Sequence, residues 1–108
     1  MDLSDRIPEI TKRIVETSQP EKIILFGSYA RGNNDLNSDL DLLVIVPTSK
    51  HMHLREESWR MRRALRGLLA PVDLIVATSE QIQRLGNVNG LIYQTALQEG
   101  KVLYEFRR

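Results

Sequence analysis

Leu3, Ile7, Ile10 and Ile14 are spaced by four, three and four residues, the stripe of a helix with one buried face. Ser4 or Asp5 stands where an N-terminal cap belongs, Pro8 fits only the first turn, and Pro20 lies just past the end. The pattern then changes. Lys22-Ile23-Ile24-Leu25-Phe26 is short, β-branched and apolar, which predicts a buried strand closed by Gly27. Ser28-Tyr29-Ala30-Arg31 fits one helical turn before Gly32, and 33–38 is a polar loop rich in turn formers. A second strand is predicted over 39–46, stopped by Pro47. Leu54, Met61, Leu65 and Leu68 place a helix over 53–69, followed by a third strand over 72–77. Ser79 is read as the cap of a helix reaching about Leu85. A further helix spans 90–98 with Gly100 as its C-terminal cap, and a last strand spans 101–106. Several strands are apolar on both faces, so helices are expected to cover the sheet.

Composition narrows the class. The chain has 108 residues, 42% apolar and 27% charged, which suits one globular domain over 1–108. No apolar run approaches the ~20 residues that span a bilayer, so no membrane role is expected. The acidic start Met1-Asp2-Leu3-Ser4-Asp5 lacks the basic and apolar regions of a signal peptide, and a cytoplasmic location is expected. The absence of Cys excludes disulfides and thiolate metal sites. His51 and His53 lack a third ligand nearby, so zinc is not expected either. A net charge of +1 argues against nucleic acid as a partner, although Arg55, Arg60, Arg62, Arg63 and Arg66 crowd one segment. That segment reads as a solvated helix face with Glu56 or Glu57 pairing Arg60, or as a contact surface for a partner, RNA or phosphate.

Three features bear on chemistry. Gly27-Ser28 follows a buried strand and opens a turn of helix, where backbone N–H groups lack intrahelical acceptors and bind phosphate. Taken alone, an ordinary strand-to-helix turn with Ser28 as N-cap explains it. Asp39-Leu40-Asp41 begins a strand, so its two carboxylates share a face with Cα atoms ~6.6 Å apart. Their repulsion at that distance is roughly 2.5 kcal/mol at an effective dielectric of 20. Either water or a cation must sit there, and magnesium suits a few carboxylates plus phosphate oxygens. Asp73 interrupts the apolar run Val72-Asp73-Leu74-Ile75-Val76. It faces solvent on an edge strand, or it joins Asp39 and Asp41 in a two-metal site. Gly-Ser, ten residues, then Asp-x-Asp arises by chance on the order of once per thousand chains this size.

These residues resemble the nucleotidyltransferase superfamily that includes DNA polymerase β, and in particular its minimal members, the antitoxin partners of HEPN toxins. The resemblance runs through Ile23-Ile24-Leu25-Phe26-Gly27-Ser28-Tyr29-Ala30-Arg31-Gly32, Ser38-Asp39-Leu40-Asp41-Leu42-Leu43-Val44 and Val72-Asp73-Leu74. It continues through Ala96-Leu97-Gln98-Glu99-Gly100-Lys101-Val102-Leu103-Tyr104-Glu105. It implies an α+β fold, a mixed and largely antiparallel sheet of about four strands flanked by helices. It implies that Gly27 and Ser28 hold the triphosphate, that Asp39 and Asp41 bind the metals, and that Asp73 completes the site and helps activate the acceptor hydroxyl. Arg31 is close enough in sequence to reach phosphates.

The implied reaction moves AMP from ATP, with two Mg2+ ions, to a hydroxyl of a HEPN toxin, expected to be a tyrosine. The chain would act as an antitoxin, in a hetero-oligomer with that toxin. Only 35 residues follow Asp73, so the acceptor is expected on a separate partner. Two alternatives stay open: an antitoxin that binds nucleotide and neutralises by contact, and transfer to a small molecule.

Overall fold

The computed structural model describes residues 2–107, apart from the side chains of His51 and Met52. Two helical layers sandwich a sheet. The sheet has the order β3-β2-β1-β4, formed by β1 (Lys22–Phe26), β2 (Leu40–Val46), β3 (Val72–Thr78) and β4 (Lys101–Glu105). β1 pairs antiparallel with both β2 and β4, while β2 and β3 run parallel. The sheet is therefore mixed and mostly antiparallel.

The apolar runs bury both faces because neighbouring strand residues point to opposite sides. Ile23, Leu25, Leu40, Leu42, Val44 and Leu74 face α1 (Ile7–Ser18) and α3 (Leu54–Ala64), meeting Ile10, Ile14 and Met61. Ile24, Phe26, Leu43, Ile45 and Ala77 face the other way, toward Ile82 of α4 (Ser79–Leu85) and Ala96 and Tyr93 of α5 (Ile92–Glu99). Among the described residues no helix is long and apolar enough to cross a membrane.

The element boundaries differ from expectation for local reasons. A 3-10 turn at Ser4–Arg6 precedes α1; its N-cap position is Leu3 and that of α1 is Arg6, neither Ser4 nor Asp5, and the Asp2 carboxylate accepts from the Ser4 amide at 2.9 Å. Pro8 sits in the first turn of α1, and left-handed Gln19 ends the helix before Pro20. A second 3-10 segment, Thr48–His53, delays the start of α3. α3 then stops at Ala64 instead of reaching Leu69, because Gly67 and Leu69 adopt positive φ. The carbonyls left over there are taken by arginines. Arg13 donates to Ala64 O and Arg66 O, each at 3.1 Å, and Arg6 donates to Leu68 O. Leu65 and Leu68 still pack on the core, so the apolar periodicity outlasts the helix.

Thr78, not Ser79, caps α4. Its hydroxyl accepts from the Gln81 amide at 3.1 Å while Gln81 Oε1 accepts from the Thr78 amide at 2.9 Å. This reciprocal pair satisfies two otherwise unpartnered amides.

Gly100 does follow α5, but with extended backbone (φ −78°, ψ 162°) rather than a left-handed cap. Glycine is needed there for closeness, since a Cβ would meet the Ala96 carbonyl oxygen and the Ile24 side chain. Gly100→Ala is therefore expected to destabilise the fold by about 2 kcal/mol through overpacking. Thermal melting checks this, and an unchanged melting temperature would contradict it.

The arginine-rich helix is largely structural. Arg62 donates to Leu74 O at 3.1 Å, Arg60 donates to Thr17 O at 3.0 Å, and Arg60 pairs with buried Glu57 at 3.2 Å. Arg63 lies 5.2 Å above the Trp59 ring.

Candidate active site

Strand register builds the site. Asp41 is the second residue of β2 and lies opposite Phe26 of β1 on one side and Asp73 of β3 on the other. Gly27 follows Phe26 directly, so the turn out of β1 abuts the Asp41 carboxylate. Gly27 is buried, with φ 77° and ψ −156°, a conformation that L side chains rarely adopt. A Cβ at Gly27 would fall inside the Asp41 carboxylate. Glycine is thus required twice, by backbone shape and by closeness to Asp41.

Ser28 opens α2 (Ser28–Arg31), and Gly27 rather than Ser28 is the N-cap. The Gly27 carbonyl accepts from Ala30 and Arg31 at 3.1 and 3.0 Å, and left-handed Gly32 ends the turn. The Tyr29 hydroxyl anchors it from below by accepting from the Leu3 amide at 3.0 Å.

A cavity of about 530 Å³ gathers Gly27, Ser28, Arg31, Asp41 and Asp73, with Ile92, Thr95 and Glu99 of α5 forming another wall. Burial comes first, and then repulsion from Asp73 and Asp39, in raising the Asp41 pKa above the ordinary carboxylate value; Arg31 pulls it back down. The Asp41 and Asp73 carboxylates are close enough to hydrogen-bond when one carries a proton. Two anions held that close on a partly buried surface fit a cation between them.

Asp39 stands apart from the pair. It precedes β2, is exposed, and acts on Asp41 through its charge without lining the cavity. Among the described residues no three His, Asp or Glu side chains form a metal cage. A pair of carboxylates suits magnesium, which takes one or two of them together with substrate phosphates and water.

Glu99 is the residue that sequence reading left without a role. Its Oε1 accepts from the Gly27 amide at 3.3 Å and from Arg31 Nη1 at 2.9 Å. One local signal marks it. It ends α5, where the helix dipole favours a cation, and that last turn holds no basic residue.

The nucleotidyltransferase domain family matches residues 5–103 of this chain. A protein adenylyltransferase, MntA, of Aphanizomenon flos-aquae is 27% identical over 110 residues, covering 95% of this chain and 73% of the relative. A candidate protein adenylyltransferase of Methanocaldococcus jannaschii is 31% identical over 84 residues, covering 78% of each. A crystal structure described as a toxin-antitoxin with AMP-PNP has the same fold. Its TM-score is 0.63 at 24% identity, covering 94% of this chain and 74% of that one.

Proposed function

Because the chain belongs to the nucleotidyltransferase domain family, we propose that it moves AMP from ATP to a hydroxyl of a partner protein, a tyrosine of a HEPN toxin, and so acts as a cytoplasmic antitoxin. The observation that carries this reading is the meeting of the Gly27–Ser28 turn with the Asp41–Asp73 pair at one cavity. Two relatives named for protein adenylyl transfer support a protein acceptor. A fold neighbour described as a toxin-antitoxin with AMP-PNP supports an adenine nucleotide and a toxin.

In this mechanism the Gly27 amide, the Ser28 hydroxyl and the Arg31 guanidinium bind the triphosphate. Asp41 and Asp73 are the residues that would hold magnesium, and Asp39 adds its charge at the rim. Magnesium held there would supply charge neutralisation for the leaving pyrophosphate and a lowered pKa for the attacking hydroxyl. The acceptor oxygen bonds to the α-phosphorus while the bond to the α–β bridging oxygen breaks in line. Exposed Asp73 takes the hydroxyl proton. The chain's contribution is orientation and charge placement, as in other phosphoryl transfers.

The test is peptide mapping by mass spectrometry of the protein that co-purifies with the chain from its native cells, after incubation with ATP and magnesium. The expected product is AMP on a tyrosine of that protein. A partner that stays unmodified would contradict the reading.

A further inference from the structure

The donors assigned above to the triphosphate already hold an anion. The Glu99 carboxylate takes the Gly27 amide and the Arg31 guanidinium together, and it faces the same cavity as Asp41 and Asp73. Its location is otherwise unfavourable. It sits at the negative end of α5, and the other acidic side chains of the cavity repel it. What offsets this is the pair of donors, one of them a charged fork. Arg31 has five N–H donors and can turn to serve a second anion, but the Gly27 amide has a single hydrogen. A phosphate oxygen and Glu99 cannot both have it.

Resting on the nucleotidyl-transfer reading, we infer that Glu99 sets nucleotide affinity by standing in for a phosphate: its carboxylate occupies Gly27 and Arg31 until triphosphate displaces it. Displacement opposes binding, so the triphosphate is held less tightly than the donor set alone allows. The same contact re-forms when pyrophosphate departs, which favours release of that product. The 3.3 Å separation at Gly27 is the long end of an N–H···O bond, so it is the contact that opens first.

The experiment is calorimetric titration with AMP-PNP and magnesium of the intact chain and of Glu99→Gln, which keeps the side-chain shape and removes the charge. The variant is expected to bind AMP-PNP and inorganic pyrophosphate on the order of tenfold tighter, the equivalent of about 1.4 kcal/mol. Adenosine, which carries no phosphate, binds both proteins equally. In turnover the KM for ATP falls by the same factor while kcat does not rise. Arg31→Ala costs more affinity in the Glu99→Gln background than in the native chain, because the native Arg31 is already engaged. Glu99→Asp keeps the charge on a shorter side chain, and it is expected to lose the Gly27 contact and tighten binding in the same direction. If the native chain binds AMP-PNP and both variants bind it equally or more weakly, Glu99 positions Arg31 for the ligand and the inference is overturned. If no form of the protein binds AMP-PNP, the nucleotide reading of the cavity fails, and this inference with it.

Discussion

Replacing Asp41 by Asn is expected to stop nucleotidyl transfer and to raise the melting temperature of the protein. The two effects have one cause. The Asp41 carboxylate is partly buried beside Asp73 and Asp39, and its pKa is raised first by burial and then by those charges. Its ionised form is therefore less stable in the folded protein than in the unfolded chain. A raised folded pKa contributes stability below the ordinary value of 3.8 that is lost as pH rises through the folded pKa. Above the folded pKa that contribution is gone and the charge opposes folding, so removing the charge without changing the shape stabilises the fold there. Solvent screens much of the repulsion at a group this accessible, so the gain stays below about 1 kcal/mol, a rise of a few degrees at most for a domain of this size. It shrinks as the solution is acidified toward the ordinary carboxylate range. The cost falls on the reaction, where a cation between Asp41 and Asp73 loses half of its protein ligands. A rate loss of roughly 10³-fold, equivalent to about 4 kcal/mol of transition-state stabilisation, is expected. Thermal melting with EDTA present and a transfer assay with magnesium read the two halves separately. A variant that melts lower than the native chain would contradict the electrostatic account.

Gly27→Ala is expected to have the opposite effect on stability and the same effect on transfer. The backbone at φ 77° and ψ −156° excludes L side chains, at roughly 1–3 kcal/mol of strain. The added methyl would also overlap Asp41, reaching beyond its terminal oxygen to crowd its Cγ and Cβ. Asp41 must turn away, which breaks its approach to Asp73 and removes the place for a cation. Together these effects destabilise the fold by about 3 kcal/mol, a fall in melting temperature of roughly 10 °C or more. Nucleotide binding is lost with them. Circular dichroism melts and AMP-PNP titration check both consequences, and wild-type binding by Gly27→Ala would mean that the turn lies away from the ligand.

Much of the architecture is legible in local patterns. The apolar runs at Lys22–Phe26 and Leu40–Val46 mark strands buried on both faces, and the stripe through Ile10 and Ile14 marks α1. These signals are short-range, and tertiary packing reinforces them. The misplaced features depend on contacts that no local pattern records. α3 ends early because Gly67 and Leu69 leave the helical region and because Arg6 and Arg13 reach in from the neighbouring α1 segment, more than fifty residues away in sequence. Gly100 marks a helix end as expected, yet its need for glycine comes from the Ala96 carbonyl of α5 and, across the fold, from Ile24 of β1.

The candidate site divides in the same way. Gly27 and Ser28 are ordinary turn residues and stand out only through their spacing to Asp39 and Asp41, whereas Asp73 stands out as a carboxylate within an apolar strand. That Asp41 and Asp73 meet is a matter of parallel register between β2 and β3, with α3 intervening, and no spacing within either strand specifies it. Asp39 acts on Asp41 through its charge. It has the parity of Asp41 but lies outside the hydrogen-bonded strand, exposed and away from the cavity wall. Glu99 reaches Gly27 across 72 residues of sequence, so its contact with the turn is visible only in three dimensions.

The central claim is that this cavity directs attack to the α-phosphorus of ATP. The most direct test supplies ATP labelled at the α- or the γ-phosphate to the chain, its co-purifying partner and magnesium. The account predicts that α-label becomes covalently attached to the partner while γ-label leaves as pyrophosphate, and that Asp41→Asn transfers neither. Attachment of γ-label, or of α-label at an equal rate by Asp41→Asn, would contradict it.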